Sequence, residues 1–216
     1  MIMILITEEV FYDVAGNTMS SSLLRVHANI HAQIRRWVHD VPHEKGGNFY
    51  VDSDNSTLRP CTVQDDGKRT RIRFRRGPVD WHMHPAQCLE DCVIGLPSAQ
   101  DLASVCTGVR YGNLFHLLYS REGTYVLQVT PNLRRYLQEH RPAHSDLLRR
   151  FTEAISQPLT AYRERRLSYE ACRAAYILRL ATLGVSLRLF ADDAIPAVRV
   201  HQLIPAHMQE CQRDPV

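Results

Sequence analysis

The sequence predicts an α/β protein: an α/β core over about residues 1–131, followed by a mostly helical extension over 132–216. Three observations carry that expectation. Before residue 131, short apolar runs with period-2 alternation bracket one amphipathic stretch with helical spacing. From Pro131 onward the apolar residues fall at helical spacing in three patterns, separated by Pro142 and Pro158. The length of 216 residues, with 44% hydrophobic and 23% charged, suits one soluble domain with a real core and an extension.

In chain order, residues 2–12 read as a strand or strand pair. Ser20 to Ser22 offer caps for a helix over about 21–39, where Leu23, Val26, Ile30, Ile34, Trp37 and Val38 share one face. Pro42 ends that helix. HEKGG reads as a Gly-Gly turn entering a strand, NSTLRPCTVQ as another strand, and DDG at 65–67 as a turn. KRTRIRFRR at 68–76 alternates cleanly, with Arg69, Arg71, Arg73 and Arg75 on one face. VDWHMH is a further strand closed by Pro85, and Pro97-Ser98 opens a helix to about Val105. LFHLLYS and GTYVLQVT make a hairpin around Arg121-Glu122-Gly123. Three helices follow; Gly184 closes the last, and VSLRLF returns as a strand.

Composition narrows the functional classes. A net charge of +3 is too small to argue for nucleic acid or membrane by itself. The opening MIMILI is too short to span a bilayer and lacks the flanks of a signal peptide. The six cysteines (61, 88, 92, 106, 172 and 211) show no framework spacing, so reduced thiols are expected. These features predict a non-secreted, intracellular protein, cytoplasmic or nuclear, with no membrane association.

The chemistry concentrates in WHMHPAQCLEDCVIGLPSAQDL, residues 81–102. In a strand, residues i and i+2 point the same way, so His82 and His84 can grip one ion. Ser98 stands at a helix N-cap, and Asp101, three residues on, lies in the first turn. Two imidazoles and one carboxylate leave a fourth tetrahedral position for water, the make-up of a hydrolytic zinc site. A Ser-x-x-Asp also makes a plain capping box, with no chemistry. His82, His84, Cys88 and Cys92 would instead make a closed four-ligand zinc site, which leaves Asp101 and Glu44 idle. Asp91 is the competing carboxylate, without a Ser-x-x-Asp setting.

Upstream, Glu44 in HEKGG follows the amphipathic helix. Glu44, His82, His84, Pro85, Ser98 and Asp101 together resemble the JAMM motif of the JAB/MPN+ metalloprotease family: a Glu after the first helix, His-x-His-Pro, then Ser-x-x-Asp. The resemblance covers about residues 1–130 and implies a JAB/MPN-like, cytidine-deaminase-like mixed sheet. The loop from His84 to Ser98 is longer than in most members and is similar to variants from large DNA viruses and some microbes. The segment from Glu44 to His82 is short, with little room for the insertion that gives some members ubiquitin-linkage selectivity.

What the resemblance implies is a zinc isopeptidase or deubiquitinase acting on ubiquitin or ubiquitin-like conjugates. His82, His84 and Asp101 would hold one Zn²⁺ and its catalytic water, Glu44 would be the general base, and Ser98 would support the oxyanion. Two alternatives stay open: a non-ubiquitin hydrolase of the same fold, or a nucleic-acid-associated module using the arginines of 68–76. The ordinary reading of that arginine ladder is a solvated strand face.

Overall fold

A computed structural model describes residues 22–52, 56–64, 78–86 and 95–200. The strand read at 2–12, the arginine ladder at 68–76, and Cys88, Asp91 and Cys92 lie outside those residues.

Among the described residues, eight strands form one mixed sheet: β1 (Ser22–Val26), β2 (Lys45–Val51), β3 (Thr57–Gln64), β4 (Val79–Met83), β5 (Phe115–Ser120), β6 (Gly123–Val129), β7 (Val185–Phe190) and β8 (Ala197–Val200). Their order is β7-β6-β5-β4-β2-β3-β1-β8. The β1–β3 and β4–β5 pairs are parallel and the others antiparallel. The helices are α1 (Ala28–Asp40), α2 (Ala99–Gly108), α3 (Pro131–His140), α4 (His144–Arg163) and α5 (Tyr169–Thr182).

Period-2 alternation divides the sheet into two buried faces. On one, Phe49, Trp81, Met83, Leu117 and Tyr119 pack with Ile34 and Val38 of α1. On the other, Leu118, Tyr125, Leu127 and Leu187 meet Leu102 and Cys106 of α2, Phe151 of α4, and Tyr176 and Leu180 of α5. The stretch 132–216 therefore supplies more than helices. Its three helices cover one face, and β7 and β8 pair onto opposite ends of the sheet.

Several local readings are corrected. The helix read from residue 21 starts at Ala28, because Ser22–Val26 form β1 between β3 and β8. Leu24 and Val26 are buried there while Leu23 and Arg25 are exposed, so the same letters satisfy period 2 once partner strands exist. Gly46 and Gly47 are not a turn but part of β2, opposite His82 and Trp81. Having no side chains, they leave room beside both rings. Pro158 does not separate two helices; it lies buried within α4, which is anchored by buried Leu147, Phe151 and Ile155 before the proline and Ala161 after it. Pro60 sits in β3 next to the register shift at Asn48/Phe49, where a missing N–H is tolerated.

Cys61 on β3 is disulfide-bonded, which corrects the expectation of a reduced thiol there. Spacing along the chain carries no information on which thiols the fold brings together. Cys106 and Cys172 are free and buried. No described helix is long and apolar enough to cross a membrane.

The hairpin between β5 and β6 is held from both sides. Arg35, buried on α1, donates to the carbonyls of Ser120 at 2.5 Å and Gly123 at 3.1 Å, and pairs with Asp192. Gly123 has φ +136°, and a Cβ there would collide with the Phe190 carbonyl of β7. Gly123→Ala is expected to cost at least about 2 kcal/mol through backbone strain and lost β6–β7 pairing. An unchanged denaturation midpoint would contradict this.

Candidate metal centre

The site forms where β4 ends and α2 begins. The β4–α2–β5 segment joins two parallel strands through a helix, and the crevice beyond the C-terminal ends of such strands is where α/β folds place ligands. Trp81 and Met83 point into the α1-side core, so alternation turns His82 and His84 the other way. Backbone pairing continues one residue past β4, with His84 N–H donating to the Tyr119 carbonyl at 2.9 Å. His84 is therefore held as firmly as a strand residue.

Asp101 arrives from α2. Ser98 is the N-cap: its Oγ accepts from Asp101 N–H at 3.1 Å, and Ser98 N–H donates to Asp101 Oδ2 at 2.7 Å. The plain capping box is thus present, and the same carboxylate also faces both histidines. Its Oδ1 lies 3.4 Å from His82 Nε2 and its Oδ2 3.7 Å from His84 Nε2. The approach to Ser98 is tied down twice. Tyr176 of α5 donates its hydroxyl to the Pro97 carbonyl, and Gly95 N–H donates to Glu122 at 3.1 Å. Tyr125 and Tyr169 donate to that same Glu122 carboxylate.

The ligand atoms fit a small tetrahedral ion. His82 Nε2 and His84 Nε2 are 3.1 Å apart, and the ligand atoms of His82, His84 and Asp101 all lie within 4.8 Å of one another. Ligands at 2.0–2.1 Å from a tetrahedral ion would sit about 3.3 Å apart. The His82–His84 separation of 3.1 Å and the 3.4 Å from His82 Nε2 to Asp101 Oδ1 lie close to that value, and the other carboxylate oxygen, Oδ2, is 3.7 Å from His84 Nε2. This group can hold a metal ion.

Glu44 immediately precedes β2. The Lys45–Met83 register brings it level with His84, with Oε1 4.0 Å from His84 Nε2. That places a carboxylate beside the ligands but outside their cluster. Glu44, His82, His84, Ser98 and Asp101, spread over 58 positions of sequence, are thereby brought to one place.

Sequence reasoning missed His116. His116 on β5 is 3% exposed, and its Nε2 lies 2.7 Å from His82 Nδ1. The available signal was its position: in LFHLLYS it interrupts an apolar strand, where an imidazole needs a polar partner.

The charges are strongly coupled. Burial opposes protonation of His82, but the charge and hydrogen bond of Asp101, with the charge of Glu44, outweigh it and raise the pKa above the usual 6.5. His84 is pushed down to about 4 by burial, then by the neighbouring charge on His82. His116 is lowered for the same two reasons. Burial alone would raise Asp101; the charge and hydrogen bond of His82, the charge of His84 and the Ser98 N–H hold it well below the usual carboxylate range.

Comparison of the chain with known protein families, with curated proteins and with solved structures gives no match.

A metal ion binds neutral imidazole, so the proton on His82 must leave while His84 is already neutral. Because the His82 value is raised, affinity falls as pH drops through it and recovers as pH rises. At about pH 6, binding is expected to release about one proton per ion. Calorimetry in buffers of different ionisation enthalpy measures this; release of two protons would contradict the assigned states.

Proposed function

We propose that the protein is a zinc-dependent metalloprotease of JAMM type, an isopeptidase that hydrolyses the bond after ubiquitin or a ubiquitin-like protein. The observation that carries this reading is the meeting of Glu44 with the His82–His84–Asp101 cluster, 4.0 Å from His84 Nε2. A capping box and a pair of strand histidines alone require no second carboxylate there.

Two imidazoles and one carboxylate suit zinc, and three protein ligands leave one position open, as hydrolytic sites require. A zinc ion held by His82, His84 and Asp101 would supply Lewis acidity, lowering the pKa of water toward ~7. Glu44 takes the proton from the attacking water and delivers it to the leaving amine, restoring its own carboxylate. Asp101 neutralises part of the ion's charge, and its orientation is fixed by the Ser98 N–H.

Ser98 contributes in two ways. Its Oγ already accepts from Asp101 N–H, so its own O–H proton is directed elsewhere and can be donated to the developing oxyanion. Loss of one such donor costs roughly 10²–10³ in kcat. The helix N-terminus behind it adds partial positive charge where negative charge develops.

The isopeptidase preference comes from the resemblance of Glu44, His82, His84, Pro85, Ser98 and Asp101 to the JAMM motif. Glu44→Gln is expected to bind one zinc per chain as the unaltered protein does and to lose cleavage of a panel of ubiquitin chains and ubiquitin-like fusions. Retained cleavage would remove Glu44 as the base. Ser98→Ala is expected to lower kcat about 10²-fold with little change in bound zinc; an unchanged kcat would remove the oxyanion role.

A further inference from the structure

We propose that His116 is a positioning residue for the metal centre: it accepts a hydrogen bond from His82 Nδ1–H, fixing the tautomer and the ring orientation that present His82 Nε2 to an ion. The inference deepens the metal-site reading above and rests on it.

The geometry leaves few choices. His82 and His116 stand on the parallel neighbours β4 and β5 and point to the same face, because Asp80 pairs with His116 and His82 with Leu118. Both rings are buried, at 1% and 3% exposure, with centroids 4.8 Å apart and planes inclined by 46°. The 2.7 Å between His82 Nδ1 and His116 Nε2 is a hydrogen-bond distance. It is also too short for two ligands of one tetrahedral ion, which would sit about 3.3 Å apart. One proton, not zero or two, lies between these nitrogens.

The proton's location follows from the other side of His82. Its Nε2 faces His84 Nε2 at 3.1 Å and Asp101 Oδ1 at 3.4 Å, so Nε2 must be bare to bind an ion there. A neutral imidazole with bare Nε2 carries its proton on Nδ1. His82 therefore donates, and His116 Nε2 accepts.

Metal-bound histidines commonly give this second proton to a carboxylate, a backbone carbonyl or water. Here the acceptor is a buried neutral ring. A neutral acceptor aims His82 without adding a second negative charge, so Asp101 remains the charged protein ligand. The sheet register, rather than a loop, sets the distance between the two rings.

The test combines zinc affinity with a direct view of the proton. Zinc binding is measured by competition with a chromophoric chelator for the unaltered protein, His116→Leu, His116→Gln and His82→Ala. Nitrogen NMR of ¹⁵N-histidine-labelled, zinc-loaded protein reads which ring nitrogens carry protons. His116→Leu removes the acceptor and is expected to weaken zinc binding about 10–100-fold. His116→Gln, whose amide oxygen can take the place of Nε2, is expected to restore most of it. In the unaltered protein His82 is expected to carry its proton on Nδ1 and His116 Nε2 to be bare. Wild-type affinity in His116→Leu beside a large loss in His82→Ala would overturn the role of His116 and leave the metal site standing. Wild-type affinity in His82→Ala would overturn both. If His116→Leu does not fold, the NMR result decides: a bare Nδ1 on zinc-loaded His82 overturns the inference.

Discussion

Imidazoles and carboxylates removed from water must share either protons or an ion, and that constraint organises the junction between β4 and α2. His82, His84 and Asp101 are packed with Nε2 and Oδ atoms 3.1–3.7 Å apart. Burial penalises each charge individually, yet Asp101 stays ionised and His82 favours its proton because each offsets the other. The arrangement therefore stores a proton where a cation can replace it. A strand end and a helix N-terminus, each fixed by backbone pairing or capping, supply the rigidity that such a cluster needs.

The same segments serve the fold and the site. The Ser98–Asp101 capping box starts α2, which covers one face of the sheet through Leu102, Ala103 and Cys106. It also turns the Asp101 carboxylate toward the histidines. Tyr176 of α5 holds Pro97, one residue before the cap, so the C-terminal helices support the site as well as the core. On the other side, the stacking of Trp37, Trp81 and Phe49 fixes the strand that carries both histidines.

Much of this was legible in the residues. His-x-His on a strand, a proline to end it, and Ser-x-x-Asp at a helix start are short-range patterns whose geometry follows from period 2 and from capping. The hairpin after α2 and the helices after Pro131 were readable for the same reason. What failed was tertiary. Nothing local says that Ser22–Val26 finds strand partners on both sides, that β8 closes that edge, or that Gly46 and Gly47 continue a strand. Pro158 misled because the packing of α4 outweighs one lost hydrogen bond. His116 was invisible as a partner because its role depends on the register between β4 and β5, which no spacing along one strand reveals.

The central claim is an open centre of two imidazoles and one carboxylate, and X-ray absorption at the zinc edge of the loaded protein tests it most directly. The account predicts four nitrogen or oxygen neighbours at about 2.0–2.1 Å, with the multiple-scattering signature of two imidazoles and no sulfur. Sulfur at about 2.3 Å would contradict it, assigning the ion to Cys88 and Cys92 in a closed site and leaving Asp101 as a helix cap.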